Sequence, residues 1–384
     1  MQQDRNRLQM DTNLLVLIGI LFIFSLLAIY SGSGQYVQED PLFFVKRQVM
    51  WYVVGTALML LVAYFDYELL DRLSIFLYVG GIAFLFLVHF FGVTKNGSQR
   101  WIDLGVMELQ PSEFMKIFLI LLLASHLSRM GSERISFKAS IPVTLKIAGY
   151  SLLPFSLILI QPDLGSSLII VTITLTLILV SSISRKMIGI LVTGMISLVA
   201  AFLVIYQSYY DVLTKVFKPH QLGRIYGWLN PNEFSSDYGY QLKQAVTGIG
   251  SGQLTGSGYN QGVQVQNGSI PEVHTDFIFA VIGEEFGFLG TSLLISIYFL
   301  LIYRIIIIAL SANHLFGIYI CVGTIGLLTF QVFQNIAMTI GLMPITGLAL
   351  PLVSYGGSAL LTNMIALGLV FSVQMRSKNY LFSN

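Results

Sequence analysis

The stretch from Ile270 to Gly290, IPEVHTDFIFAVIGEEFGFLG, sets Glu272, His274 and Asp276 just ahead of an apolar run that continues to Leu310. A carboxylate thus sits where a polar loop becomes a membrane helix. Thr275 is placed to cap the helix formed by the apolar run. Asp276 then falls in its first turn, where the positive helix end favours an anion. A simple helix start is the competing reading of Asp276. Glu113 and Lys116, three residues apart, pair on one helix face or serve a site. Lys116 lies about one turn inside an apolar segment, where an ionisable group is costly and usually functional. Asp163 is a dipole partner or a site residue, and Arg100-Trp101 an interfacial anchor or a binding pair. Glu284 lies about 12 Å along the helix from Asp276 and must be protonated or paired. His274 beside Asp276 suggests a metal, but no second His or Cys lies near enough in sequence for a structural zinc. Walker A, GxSxG and HExxH patterns are missing from the sequence.

The elements that position these residues are membrane spans. Of 384 residues, 55% are hydrophobic and 10% charged, and the mean hydropathy is +0.76. That much apolar surface calls for lipid as solvent. The net charge of +2 gives no reason to expect nucleic acid. Cys321, the single cysteine, reads as a packing residue. The polar N-terminus has no small-residue cleavage site, so the first span is expected to be retained. Ten apolar segments are predicted, at roughly 14–31, 46–65, 73–91, 112–130, 141–160, 163–182, 187–206, 276–309, 315–341 and 350–375. The eighth is too long for one crossing and should tilt or project. The expected class is all-α, a polytopic integral membrane protein of about ten transmembrane helices with one long extracytoplasmic loop. The whole chain, 1–384, reads as a single domain.

With a cytoplasmic N-terminus, Arg5, Arg7, Arg72, Arg129, Arg134, Lys138, Arg185, Lys186, Arg304, Arg376 and Lys378 gather on the cytoplasmic side. The C-terminus is then cytoplasmic too. The long loop, 206–275, falls outside with Lys215, Lys218, Arg224 and Lys243. Val212, Leu213, Val216 and Phe217, and again Leu242, Ala245, Val246 and Ile249, have helical spacing there and suggest short interfacial helices. The even-numbered spans open on the outer face, at Gln110-Pro111-Ser112-Glu113, at Gln161-Pro162-Asp163, at Asp276 and near Pro351. Several positive helix ends able to bind phosphate thus point outward.

The ordered motifs resemble the SEDS proteins (shape, elongation, division and sporulation), the RodA/FtsW group of bacterial cell-wall polymerases. The resemblance rests on Asn96-Gly97-Ser98-Gln99-Arg100-Trp101-Ile102, Gln110 to Lys116, Gln161 to Ser166, Gly239-Tyr240-Gln241 and Ile249-Gly250-Ser251-Gly252. It continues through Pro271 to Ile278, Gly341 to Gly347 and Pro351 to Ser358. Gln99-Arg100-Trp101 and Pro344-Ile345-Thr346-Gly347 look more like the RodA elongation branch than the FtsW division branch.

That resemblance implies a peptidoglycan glycosyltransferase of the bacterial inner (cytoplasmic) membrane, polymerising lipid II during cell elongation. It would invert the anomeric carbon and release undecaprenyl diphosphate. It implies Asp276 as the catalytic residue, with Arg100, Trp101, Glu113, Lys116, Asp163, His274 and Ser354 as substrate-binding candidates. Positive charge for the diphosphate could come from Arg100, Lys116, helix ends or a divalent cation, Mg or Mn. No residue is assigned as a metal ligand. The implied partners are a class B penicillin-binding protein (a transpeptidase), other elongation-complex membrane proteins and membrane lipid, with no nucleic acid. The alternatives are a lipid-linked-sugar flippase, to which Lys116, Lys146 and Glu284 would suit, or a non-catalytic scaffold for a penicillin-binding protein.

Overall fold

The computed structural model describes residues 10–34, 40, 42–95, 98–103, 105, 108–208, 219–231 and 238–377. Asn96 and Gly97 lie outside these residues, as do the spacing at Val212, Leu213, Val216 and Phe217 and the cations Arg5, Arg7, Lys215, Lys218 and Lys378. The helices are α1 Thr12–Ser33, α2 Phe43–Tyr64, α3 Tyr67–Phe91, α4 Pro111–Ser128, α5 Phe137–Ile160, α6 Leu164–Val180 and α7 Arg185–Ser208. Then follow α8 Pro219–Leu229, α9 Tyr238–Ser251, α10 Val263–Gln266, α11 Ile278–Ser311, α12 Leu315–Thr339 and α13 Gly357–Ser377.

Among the described residues nine helices are long and apolar enough to cross a membrane, and the protein is a multi-pass membrane protein. The expected segment outside these nine is the sixth, which is α6. It has 17 residues, which at 1.5 Å per residue span about 26 Å, less than a typical hydrocarbon core. It packs between α4, α5 and α12, so protein rather than lipid flanks much of its length. The turn at Gln161-Pro162-Asp163 does separate it from α5. The inner helices are α4, α12 and α13; α13 has 89% of its apolar window buried against 6% for the outermost, α7.

Two expectations about helix starts are corrected. The last span begins at Gly357, not near Pro351. Residues 344–350 have no regular secondary structure, and 351–355 form a turn in which Leu352 has φ 64. Non-helical backbone at this depth needs partners from the protein. Tyr298 donates to the Pro351 carbonyl at 2.6 Å, Ser25 to Val353 at 2.7 Å, Gln48 to Ser354 at 3.3 Å, and Tyr52 to Leu352. Likewise α11 begins at Ile278 with Phe277 as its N-cap, so Thr275 and Asp276 precede the helix. Thr275 instead donates to the Glu272 carbonyl at 3.0 Å and closes a turn.

The 34-residue α11 is two helices joined at Gly287, whose φ of 62 and ψ of −158 only glycine tolerates well. The break frees backbone groups, and the segment after α9 takes them up. Ser257 and Gly258 donate to the carbonyls of Glu284 and Glu285 at 2.9 and 3.2 Å. Phe288 and Leu289 donate to the carbonyls of Gln253 and Leu254 at 2.9 and 3.1 Å. Gly252 and Gly256 allow this approach, since a Cβ on either would collide with the carbonyls of Gly283 or Glu285. Glu284 is fully buried and accepts from the Gln264 and Val265 amides at 2.7 and 3.0 Å. It therefore anchors α10. Glu285 receives Ser31 Oγ, and Gln266 Nε2 at 3.3 Å.

Beyond the helices, β1 Val93–Lys95, β2 Ser98–Asp103 and β3 Glu108–Leu109 form a small antiparallel meander that pairs Val93 with Trp101 and Ile102 with Leu109. Helical periodicity carries no signal for it.

Candidate active site

The meander and the opening turns of α4 and α6 meet on one face. Gln110 donates its amide to Ser358 Oγ at 3.1 Å, and Ser358 donates to the Glu108 carbonyl at 3.0 Å, tying the sheet to the start of α13. Asp163 caps α6 by accepting from the Ser166 amide at 3.0 Å. Its other oxygen accepts from Gln110 Nε2 at 3.0 Å and Ser112 Oγ at 3.4 Å. Arg100 reaches Asp163 at 3.7 Å with both side chains largely buried, and lies 5.6 Å over the Trp101 ring. Asp163 thus serves both as helix cap and as the anion that holds Arg100.

Asp276 belongs to the same site, since the charges of Arg100 and Asp163 act on its carboxyl. Its carbonyl accepts from Asn335 Nδ2 at 2.7 Å, and the same amide group donates to the Leu348 carbonyl at 2.7 Å. One buried asparagine so fixes Asp276 relative to the 344–350 segment. Gly347, with φ 73, lies against the carboxylate; a Cβ there would sit 3.2 Å from Asp276 Oδ2. Asp276 remains partly accessible. Burial pushes its carboxyl up to about 7, and the negative charge of Glu272 acts in the same direction. Arg100 and Arg224 oppose this, while Asp163 adds a further upward push. Two arginines from distant parts of the sequence therefore act on one carboxylate.

Arg224 comes from α8, which leans on the loop after α12. Arg224 Nη1 lies 3.5 Å from the Thr346 carbonyl, and Trp228 Nε1 donates to the Gly341 carbonyl at 2.8 Å. Gln334 Nε2 donates to Thr346 Oγ1 at 3.2 Å.

Glu113 and Lys116 form a pair at 2.6 Å, both buried in α4. The ammonium is therefore already committed to a carboxylate. His274 packs on Phe44 and Tyr355, with ring centroids 4.5 and 5.9 Å away, and burial pushes its imidazole down so that it is neutral at pH 7. Ser354 is buried, and its hydroxyl accepts from the Leu350 amide at 2.9 Å, a turn-forming contact rather than an open binding group. Lys146 is exposed on α5, 5.9 Å from the Tyr150 ring, and so is not an interior charge.

Sequence reasoning missed Asn335, Arg224 and Gly347. Polar Gln331, Gln334 and Asn335 inside an apolar span were the available signal for the first. Arg224 stood out only as loop charge, because nothing local links it to Asp276. Among the described residues no three His, Cys, Asp or Glu side chains cluster as metal ligands.

A base with a pKa near 7 beside two guanidinium groups suits removal of a proton from a hydroxyl next to an anionic leaving group. Comparison with known proteins bears on this chemistry. The peptidoglycan glycosyltransferase MrdB of Escherichia coli is 34% identical over 377 residues, covering 97% of this chain and 95% of that one. Stage V sporulation protein E of Bacillus subtilis is 34% identical over 374 residues, 96% of each chain. A solved chain from a peptidoglycan synthase complex that coordinates polymerization and crosslinking superposes with a TM-score of 0.79, at 29% identity, over 97% of this chain and 99% of that one. The family model described as cell cycle protein, FtsW/RodA/SpoVE, matches residues 7–379, and the chain belongs to that family.

Proposed function

We propose that this protein is a peptidoglycan glycosyltransferase that polymerises lipid II, with Asp276 as general base. The observation that carries the reading is the Asp276 carboxyl, pushed up to about 7 and under the influence of Arg100 and Arg224. In this reading the 4-hydroxyl of the acceptor sugar gives its proton to Asp276 as its oxygen bonds the anomeric carbon of the donor. The bond from that carbon to the diphosphate breaks on the opposite face, and undecaprenyl diphosphate leaves with the electron pair, inverting the centre. A diphosphate needs no acid to depart, unlike the alcohol of a glycosidase. It needs positive charge, for which Arg100 and Arg224, whose charges act on Asp276, are the candidates. Asp163 and Trp101 would hold Arg100, and the Glu113–Lys116 pair would brace α4 behind it. A divalent cation shared between the diphosphate and one or two carboxylates would add to that charge, and no step is routed through one.

The partner in this proposal is a class B penicillin-binding protein. The match to a chain of a synthase complex that couples polymerization and crosslinking supports it. The elongation role remains part of the proposal, because MrdB and the sporulation protein match equally well. The broken α11 is the one feature a flippase would also use. Its two buried carboxylates, however, are engaged by Ser31, Gln266 and the amides of α10 rather than facing a substrate path.

The test uses purified protein, lipid II and a gel resolving glycan length, with other transglycosylases absent. The parent, with its partner if needed, should make polymer, and Asp276→Asn should lose roughly 10²–10⁴ in rate while folding normally. Near-parental polymer from the Asn variant would remove Asp276 from the mechanism. No polymer from the parent with its partner would favour the flippase.

A further inference from the structure

The opposite face of the molecule carries a cavity of about 260 Å³ that the proposed chemistry does not use. It lies among the loop joining α4 to α5, the turn joining α6 to α7, and the first turn of α12. One wall is polar, with Ser132, Arg134 and Ser182. The other is apolar, with Val180, Leu315 and Ile318. Val180 is 53% exposed at the end of α6, so this apolar wall continues onto the side of the helix bundle.

The polar wall is built before any ligand arrives. Arg134 Nη1 donates to the Ile183 carbonyl at 3.1 Å, and the Ile135 amide to the Ser182 carbonyl at 2.9 Å. Ser182 Oγ donates to the Gly131 carbonyl, and the Ser184 amide to Ser140 Oγ at 3.0 Å. The two loops are laced together with the guanidinium fixed at the mouth. A cation so held loses little freedom on binding an anion. Among the described residues no carboxylate lies within ion-pair distance of Arg134, although Glu133 is its neighbour in sequence. Lys138 follows in the first turn of α5, and Arg185 and Lys186 open α7, so cations outnumber acids around the cavity.

We propose that this cavity binds the headgroup of an anionic phospholipid. The phosphate would meet Arg134 and the serines, and the first methylenes of an acyl chain would lie along Val180, Leu315 and Ile318. A soluble phosphate ester matches the arginine but has no use for the apolar wall. The lipid uses both, at the depth where span ends meet headgroups.

The test is native mass spectrometry of the purified full chain with phosphatidylglycerol or phosphatidylcholine of matched acyl chains. The parent should retain phosphatidylglycerol preferentially. Arg134→Ala should lower that retention about tenfold, the worth of one charged hydrogen bond, with the melting temperature lowered only by loss of the contact to Ile183. Arg134→Gln provides the same test should the alanine variant fold poorly, and Arg134→Lys should recover part of the binding. The double variant Lys138→Ala/Lys186→Ala separates a built site from a generally basic surface. A built site loses less in the double variant than in Arg134→Ala; a diffuse surface loses more, and that result would overturn the proposal. Unaltered lipid preference in the Arg134 variants would overturn it too. So would glycerol phosphate binding as tightly as the lipid, which would identify a site for free phosphate esters.

Discussion

Asp276 takes up its proton at about pH 7 in the folded chain, against 3.8 for an ordinary aspartate. Two predictions follow from that difference, with opposite signs. A general base works unprotonated, so the initial rate of polymerisation should fall as pH drops through about 7. A rate that instead held steady down to pH 5 would mean that burial does not govern the base. Stability runs the other way. The folded state binds the proton more tightly than the unfolded chain, so this residue costs nothing below about pH 4 and progressively more up to about 7. Asp276→Asn removes a buried charge and should melt higher than the parent at pH 8. The gain should be on the order of 2–4 kcal/mol, discounted because water still reaches part of the side chain, and should shrink as pH falls. A lower melting temperature for the Asn variant at pH 8 would contradict the assigned environment. The Glu113–Lys116 pair makes a different kind of prediction. Lys116→Met strands a buried carboxylate and should cost about 3–5 kcal/mol, while adding Glu113→Gln should restore most of the melting temperature. Additive losses in that double-mutant cycle would show that the two side chains are not coupled.

At the scale of elements, the spans were legible because lipid demands long apolar helices, and their polar openings because proline and acidic residues mark helix starts. Length alone indicated that α11 could not be one straight crossing. What the sequence hid was non-local: Gly287 breaks the helix only because residues 252–258 satisfy the groups it frees. Glu284 looked like an intramembrane charge awaiting a partner, and its partners are backbone amides 19 and 20 residues earlier. The meander was hidden because two of its strands, β1 and β3, are too short to show alternation. The glycines of the break give the test. Gly287→Ala must hold φ 62 and push against the Gly256 amide, and Gly256→Ala meets the Glu285 carbonyl at φ 85. Each should lower the melting temperature, by an amount on the order of 1–3 kcal/mol or more. Gly149, on exposed α5 with nothing near its Cβ position, should tolerate alanine. Equal melting of all three variants would show that the α11 break is not fixed by this contact.

Across the whole molecule, side-chain contacts sort the helix ends into two faces. Arg304 with Asp11, Arg376 with Asp66, Arg129 with Asp71 and His314 with Glu68 join the ends of α1, α2, α3, α4, α11, α12 and α13 on one face. Arg100, Asp163, Asp276 and Arg224 lie on the other. The Lys/Arg excess falls on the first, and we propose from the positive-inside rule that this face is the cytoplasmic one. The proposed chemistry would then face outward, where cell-wall polymer is made. This can be checked without any assay of activity. Cys321 is free and buried, so Cys321→Ser gives a background without thiols at small structural risk. Asn267→Cys sits on an exposed position of the site face, and Glu133→Cys on an exposed position of the basic face. A membrane-impermeant maleimide applied to intact cells should label the first and spare the second, and permeabilised cells should show both labelled. The reverse pattern on intact cells would turn the molecule over. Asp276 and its arginines would then face the cytoplasm, and an extracytoplasmic polymerase would no longer be tenable.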